Sequence, residues 1–125
     1  MKEKEAAIIS SMNQYLKGTT VEEISRKRGD RFRYPVYMGK TLMETDLMTM
    51  ELSVRSYNCL KRAGFSTVGD LINGIDGKND LLKIRNLGRK SADEIMLGLF
   101  YFQYDILPVE KRERYMKRVQ ELNEV

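Results

Sequence analysis

Histidine and tryptophan are absent from this chain of 125 residues, and cysteine occurs only once. Without histidine, the protein can form neither a Ser-His-Asp triad nor a Cys-His pair, and it has no histidine metal ligand. A single cysteine can form neither an intramolecular disulfide nor a thiolate zinc site. These absences exclude the common catalytic sites and metal sites built on histidine or paired cysteines. We predict that the protein is not an enzyme and that it has no cofactor.

Long hydrophobic runs are also missing, and the net charge is small. No apolar run approaches the ~20 residues that a membrane helix requires. The apolar stretch from Ala6 to Ile9 is too short for the centre of a signal peptide. We expect a cytoplasmic protein with no membrane partner, and the single unpaired cysteine agrees with a reducing compartment. The net charge of +4 weakly favours a polyanionic partner.

The first segment, residues 1–47, reads as a helical extension followed by a connector. One helical face is indicated by apolar residues at a spacing of four, Ile8, Met12 and Leu16. Thr20 and Glu23 have the spacing of a capping box, which predicts a second helix that ends by Gly29. Residues 31–50 show no clean period, so we expect a mostly irregular connector with an extended piece around residues 34–38.

The second segment, residues 48–104, predicts four short helices joined by turns that contain glycine. Helix starts are indicated at Ser53, at Thr67 with Asp70, at Asp80 and at about Arg89. An aromatic cluster extends the fourth helix, comprising Phe100, Tyr101, Phe102 and Tyr104. No segment shows the strict alternation of a strand. The expected fold is all-α, a compact bundle of short helices.

The third segment, residues 105–125, predicts a C-terminal amphipathic helix. Pro108 suits the first position of this helix. Its apolar side comprises Val109, Tyr115, Met116, Val119 and Leu122. The opposite side is mostly charged, as expected for a helix that packs one face on a core.

The stretch from Ile84 to Ile95 has the form of a helix-hairpin-helix, which is two helices joined by a tight turn. Backbone amides at a helix N-terminus favour a phosphate. Gly88 lets the backbone approach a ligand without a Cβ, Lys90 adds charge, and Ser91 adds a hydroxyl donor. The alternative is an ordinary helix connection with a surface lysine.

A second group of candidate residues lies on the helix that begins at Ser53. Arg55, Asn58 and Cys59 share one face because they are three and four residues apart. Near a phosphate-binding turn, Arg and Asn side chains could reach into a DNA groove. Taken alone, the spacing fits a solvated arginine and a packed cysteine better.

Three stretches in this order resemble the C-terminal domain of the bacterial RNA polymerase alpha subunit. They are residues 51–61 with Val-Arg-Ser-Tyr-Asn-Cys-Leu, residues 67–71, and residues 81–91 with Asn-Leu-Gly-Arg-Lys-Ser. The resemblance covers about residues 48–99, and residues 74–79 depart mildly from the family pattern. It implies a helical module with two helix-hairpin-helix elements that binds the minor groove of A+T-rich double-stranded DNA.

The resemblance also implies DNA contacts at seven positions: Arg55, Asn58, Cys59, Gly88, Lys90, Ser91 and Glu94. Arg55 would enter the minor groove, while Gly88, Lys90 and Ser91 would hold phosphates. Glu94 is acidic, and we assign it to orienting Arg or Lys side chains or to a protein partner.

Residues 1–47 do not resemble the assembly domain of that subunit, and residues 105–125 are foreign to the family domain. We therefore expect a free-standing, transcription-associated DNA-binding module with extra helices at both ends. The alternative is an interaction module that docks on RNA polymerase, a sigma factor or a transcription activator. A nucleic-acid enzyme is a third hypothesis, but no carboxylate cluster supports it.

Overall fold

The computed structural model describes residues 2–125, which form eight α-helices and no strand. The helices are α1 (Lys2–Asn13), α2 (Val21–Arg28), α3 (Lys40–Glu44), α4 (Val54–Arg62), α5 (Val68–Gly74), α6 (Lys78–Leu82), α7 (Arg89–Asp105) and α8 (Val109–Leu122). Short 3-10 turns occupy Gly29–Arg31 and Leu47–Met50. The predicted all-α class is confirmed, with 67% of the protein in helices.

The chain divides into two compact units. The central unit is Tyr37–Phe102, and the terminal unit combines the residues up to Val36 with Gln103–Val125. The sequence-based division placed its boundaries at residues 48 and 105, whereas the structure groups the first and last segments together. None of the helices in the described residues is long and apolar enough to cross a membrane.

The central unit buries one apolar core. Its fully buried side chains come from five helices and a 3-10 turn: Leu42, Leu47, Leu60, Val68, Leu71, Leu81, Ala92, Ile95 and Phe100. Gly69 allows α5 to pack closely on α3, because a Cβ at this position would lie 2.4 Å from the Met43 carbonyl oxygen. Capping hydroxyls begin two helices as predicted, with Ser53 at α4 and the Thr67–Asp70 capping box at α5.

Three local predictions were wrong. Residues 40–50 are not irregular, because α3 and the second 3-10 turn occupy most of them. Gly77, not Asp80, is the N-cap of α6, and the Asp80 carboxylate reaches back from the first turn to accept a hydrogen bond from the Asp76 amide at 2.7 Å. Pro108 is the N-cap of α8 rather than its first residue.

In the terminal unit, side chains near the C-terminus bond to the backbone near the N-terminus. The Asn123 side chain accepts a hydrogen bond from the Arg33 amide at 2.9 Å and donates one to the Arg33 carbonyl at 2.7 Å. The Tyr115 hydroxyl donates to the Pro35 carbonyl at 2.7 Å. These bonds satisfy backbone groups of an extended segment that has no strand to pair with.

Candidate nucleic-acid interface

Helix α4 presents two of the predicted residues to solvent and buries the third. Arg55 lies in its first turn and Asn58 one turn later, and both side chains are exposed. Cys59 is only 4% exposed and packs in the core. The three residues therefore lie at the border between the exposed and the buried side of α4, and Cys59 is on the buried side.

A carboxylate from α7 holds the first turn of α4. Glu94 accepts hydrogen bonds from the Ser53 amide at 2.9 Å and from the Ser53 hydroxyl at 2.8 Å. The Ser56 hydroxyl donates to the same carboxylate at 2.5 Å. Since Arg55 lies between Ser53 and Ser56, these three bonds fix the backbone that carries the Arg55 side chain.

The pKa of Glu94 is held below its ordinary value by these contacts. Burial raises the pKa of this carboxyl, but the hydrogen bonds from Ser56 and Ser53 lower it by more, and the Lys90 charge lowers it further. The negatively charged Glu94 side chain therefore accepts hydrogen bonds from groups of the protein itself. Its hydrogen-bond partners are Ser53 and Ser56, and the Lys90 charge acts on the same carboxylate.

The turn between α6 and α7 is tied to α4 through Cys59. Its thiol lies 3.5 Å from the Asn86 carbonyl oxygen, in the geometry of a weak hydrogen bond. Asn86 adopts a left-handed conformation with φ of 65°, which asparagine tolerates better than most residues. The next residue, Leu87, is buried. The turn is thus anchored at the Asn86 carbonyl and at the Leu87 side chain.

The end of the turn and the start of α7 supply the predicted anion site. A Cβ at Gly88 would meet no protein atom within 4 Å, so the fold leaves open space there. Lys90 is exposed, whereas Ser91 is only 9% exposed. The helical bonds of α7 begin with the Ala92 amide and the Gly88 carbonyl at 3.0 Å, which places the amides of Lys90 and Ser91 in the first turn.

The structure therefore sorts the seven predicted residues into two groups. Four are exposed: Arg55, Asn58, Gly88 and Lys90. Cys59, Ser91 and Glu94 are buried or half-buried. Glu94 bonds to Ser53, near Arg55, and Cys59 bonds to Asn86, in the turn before Gly88. Sequence reasoning missed Ser56 and Asn86 as positioning residues, because their partners are 38 and 27 residues away in the sequence.

Groups of three or more potential metal ligands do not occur among the described residues. Cys59 is buried, and the Glu94 and Asp80 carboxylates bond to amides, hydroxyls or a lysine. The exposed members of the site are two cations, an amide side chain and a glycine.

Comparison with known proteins matches this region to one family. Residues 38–99 match the profile of the family described as the C-terminal domain of the bacterial RNA polymerase alpha chain. The protein is 52% identical over 58 residues to the DNA-directed RNA polymerase subunit alpha of Oceanobacillus iheyensis. It is 53% identical over 58 residues to the same subunit of Carboxydothermus hydrogenoformans.

Both matches cover 46% of this chain and 18% of the relative, so the chain spans about a fifth of the length of these curated relatives. The subunit of Heliobacterium modesticaldum is 54% identical over 54 residues, which are 43% of this chain and 17% of the relative. No solved structure matches the protein. The predicted resemblance to the C-terminal domain of the bacterial RNA polymerase alpha subunit is thereby confirmed for residues 38–99.

Proposed function

We propose that the central unit is a transcription-associated DNA-binding module. In this proposal Arg55 enters the minor groove of A+T-rich duplex DNA, with Asn58 beside it. The hairpin of residues 88–91 holds the adjacent phosphates. The relatives are subunits of DNA-directed RNA polymerase by name, which supports a role in transcription.

The observation that carries the proposal is the way in which the Arg55 backbone is fixed. The side chain is exposed, yet residues on both sides of it bond to Glu94. A cation on a rigid turn loses less conformational entropy on binding than one on a mobile loop. A narrow A-tract minor groove has a strong negative potential that attracts such a side chain.

The start of α7 supports the phosphate contacts. Its 17 residues give a full helix dipole, and the amides of Lys90 and Ser91 lie in its first turn. The open space at Gly88 admits a phosphate close to the backbone. Because Ser91 is only 9% exposed, Gly88 and Lys90 would make the principal contacts in this proposal, with Ser91 in a smaller part.

The test of the groove contact is fluorescence anisotropy with an A-tract duplex and a G·C duplex over a salt series. Arg55→Ala should reduce or abolish the preference for the A-tract, and lower affinity for it by about tenfold. Arg114→Ala is the matched control, because Arg114 is an exposed cation on α8 in the terminal unit. Equal binding of both duplexes by the wild type would contradict the proposal.

The test of the hairpin contact is Gly88→Ala. The new methyl meets no protein atom, so the thermal unfolding midpoint should stay within about 2 °C while DNA affinity falls severalfold. Gly39→Ala is the control, since Gly39 also has open space around it and lies outside the hairpin. Unchanged DNA binding in Gly88→Ala would remove the hairpin from the proposed interface.

Two exposed methionines favour a second candidate function, docking on a protein of the transcription machinery. Met38 is 64% exposed and Met48 is 66% exposed, and exposed methionines are common on adaptable binding surfaces. Polymerase, a sigma factor or an activator would be the partner. A pull-down with purified core polymerase tests this candidate: Met38→Gln/Met48→Gln should lose a captured complex, and retained capture would contradict it.

A further inference from the structure

We propose that the terminal unit carries a second nucleic-acid surface, which binds the phosphate backbone of duplex DNA without reading sequence. It consists of residues 26–33, here called the basic segment, with Arg31 and Arg33 as the principal contacts. The choice of DNA as the polyanion rests on the function proposed above. The basic segment lies outside the residues that the family profile matches.

Positive charge is concentrated in the terminal unit, and especially in its basic segment. The terminal unit has thirteen basic and ten acidic residues, so it holds +3 of the total charge of +4. The basic segment alone has five basic residues and one acidic residue, comprising Arg26, Lys27, Arg28, Arg31 and Arg33 with Asp30. Such a local excess of one sign raises the concentration of a polyanion near the surface.

Part of this charge has a structural explanation within the fold. Arg26, Lys27 and Arg28 occupy the last turn of α2, where cations offset the helix dipole. Arg28 is half-buried and pairs with Glu124 at 2.8 Å. Arg31 and Arg33 lie beyond the end of α2, so the helix dipole does not account for them.

Arg31 and Arg33 are both exposed to solvent. Arg31 is the last residue of the 3-10 turn Gly29–Arg31, and Arg33 follows two residues later. The intervening Phe32 and the following Tyr34 are half-buried, with ring centroids 5.9 Å apart. The aromatic residues thus contribute to packing, while both arginines remain accessible to a ligand.

This segment is held in place by its hydrogen bonds. Asn123 bonds both the amide and the carbonyl of Arg33, and the Tyr115 hydroxyl bonds the Pro35 carbonyl. The Arg33 guanidinium donates to the Asp30 and Phe32 carbonyls at 3.0 and 3.2 Å, which fixes its position along the surface. Arginines on a pinned backbone lose little entropy when they bind a phosphate.

Duplex DNA fits this surface better than a peptide or a membrane does. Arginine pairs with phosphate through two parallel hydrogen bonds, which favours a phosphodiester backbone. Among the described residues, none of the large hydrophobic side chains that are exposed lies in the basic segment. The surface therefore lacks the apolar anchor that a lipid bilayer or a docked helix would need.

The experiment measures binding of the full-length protein to fluorescent A-tract and G·C duplexes between 20 and roughly 200 mM salt. Arg31→Ala/Arg33→Ala should reduce the slope of log K against log salt by about 1 to 2 and lower affinity roughly tenfold on both duplexes. The A-tract preference should not change. Lys111→Ala/Lys117→Ala, on exposed positions of α8, is the control with the same charge loss.

The outcomes separate this surface from the groove contact of Arg55. A lower salt slope in Arg31→Ala/Arg33→Ala with an unchanged A-tract preference supports the second surface. This result supports it even if Arg55→Ala has no effect on DNA binding. An equal loss in the Lys111/Lys117 control, or an unchanged slope in Arg31→Ala/Arg33→Ala, overturns it. Tighter binding to a duplex RNA, to polyglutamate or to anionic vesicles than to DNA also overturns it.

A folding check accompanies these measurements. Far-UV circular dichroism and the unfolding midpoint should match the wild type, because both arginine side chains are exposed. The single variant Arg31→Ala leaves the Arg33 bonds to Asp30 and Phe32 in place. It should reduce the slope by about 1, and an unchanged slope in this variant overturns the role of Arg31.

Discussion

The central and terminal units of this protein are held together over different distances in sequence. In the central unit, the polar contacts that build the site join residues 27 to 41 positions apart. In the terminal unit, the corresponding contacts join residues 80 to 96 positions apart, such as Tyr115 with Pro35 and Arg28 with Glu124. The first unit is assembled from helices that are near each other in sequence, and the second from segments in the first and last parts of the sequence.

This difference explains why more of the central unit than of the terminal unit can be predicted from the sequence. Helix caps and glycine turns are local signals, and the central unit contains most of them. The terminal unit depends on Asn123 and Tyr115, whose partners no local pattern reveals. Four predictions sharpen or break this contrast, in order of expected effect.

The largest effect is expected in the apolar core of the central unit. Leu60 on α4 is fully buried, so Leu60→Ala should lower the free energy of unfolding by about 2 to 5 kcal/mol. Urea denaturation measures this loss. Val54→Ala on the same helix is the control, since Val54 is 77% exposed and should change stability by less than about 0.5 kcal/mol. A loss below about 1 kcal/mol for Leu60→Ala would contradict this packing.

A buried amide in the terminal unit comes next. Asn123→Ala removes both bonds to Arg33 and leaves its backbone groups unpaired, which should cost about 1 to 3 kcal/mol. Asn73→Ala, on an exposed position of α5, is the control for loss of an asparagine. If both variants unfold at the same urea concentration as the wild type, the contact between the two ends of the sequence does not stabilise the unit.

The Glu94 contact gives a smaller effect that depends on pH. Glu94→Gln should cost about 1 to 2 kcal/mol at pH 7, because it removes the charge that the two serines hydrogen-bond. The folded-state pKa lies below the ordinary value, so this contribution is present above that value and is lost as the pH falls through the folded-state pKa. The wild-type and Glu94→Gln stabilities should therefore converge as the pH falls below the ordinary pKa of a glutamate and through the lowered pKa of Glu94.

The pH dependence that Glu94 contributes is measured as the difference in unfolding free energy between the wild type and Glu94→Gln. The pKa values of Asp70 and Asp80 are also lowered, since backbone amides donate hydrogen bonds to both carboxylates. Their contribution is common to both proteins and cancels in the difference between wild type and Glu94→Gln. A difference that stays constant from pH 7 to pH 3 would show that Glu94 acts through shape rather than charge.

The smallest effects are expected at two helix caps, one in each unit. Thr67 begins α5 with a complete capping box, while Thr20 begins α2 with one bond to the Glu23 amide at 3.1 Å. Thr67→Ala should cost about 1 kcal/mol and Thr20→Ala about 0.5 kcal/mol. Thr→Ser at each position keeps the hydroxyl and is the control. A larger loss at Thr20 would reverse the expected order of the two caps.

Much of the fold could be predicted because its signals lie within a few residues of each other. The caps at Thr20, Ser53 and Thr67 and the long helix from Arg89 are confirmed. The prediction failed at residues 40–50, where two short helical pieces have no apolar period of their own. There α3 is positioned by its packing on α5 through Gly69, which is a tertiary contact.

The site was predicted by residue type, and the structure shows how its members are arranged. The resemblance to the alpha subunit domain predicted DNA contacts at 55–59 and 88–94, whereas the spacing at 55–59 alone favoured a solvated arginine and a packed cysteine. Cys59 is buried, but neither argument showed that Ser91 is buried or that Glu94 bonds to Ser53 and Ser56. Burial depends on which elements pack together, and the spacing of residues along one helix does not contain that information.

The sequence by itself determined the helical class, most helix starts and the charged residues available to a polyanion, because each depends on residue type and short spacing. Tertiary structure alone decided that the two ends of the sequence form one unit and that Arg31 and Arg33 are both exposed. It also decided that a half-buried carboxylate fixes the turn that carries Arg55. Hydrogen bonds between residues far apart in sequence form only when packing brings their elements together.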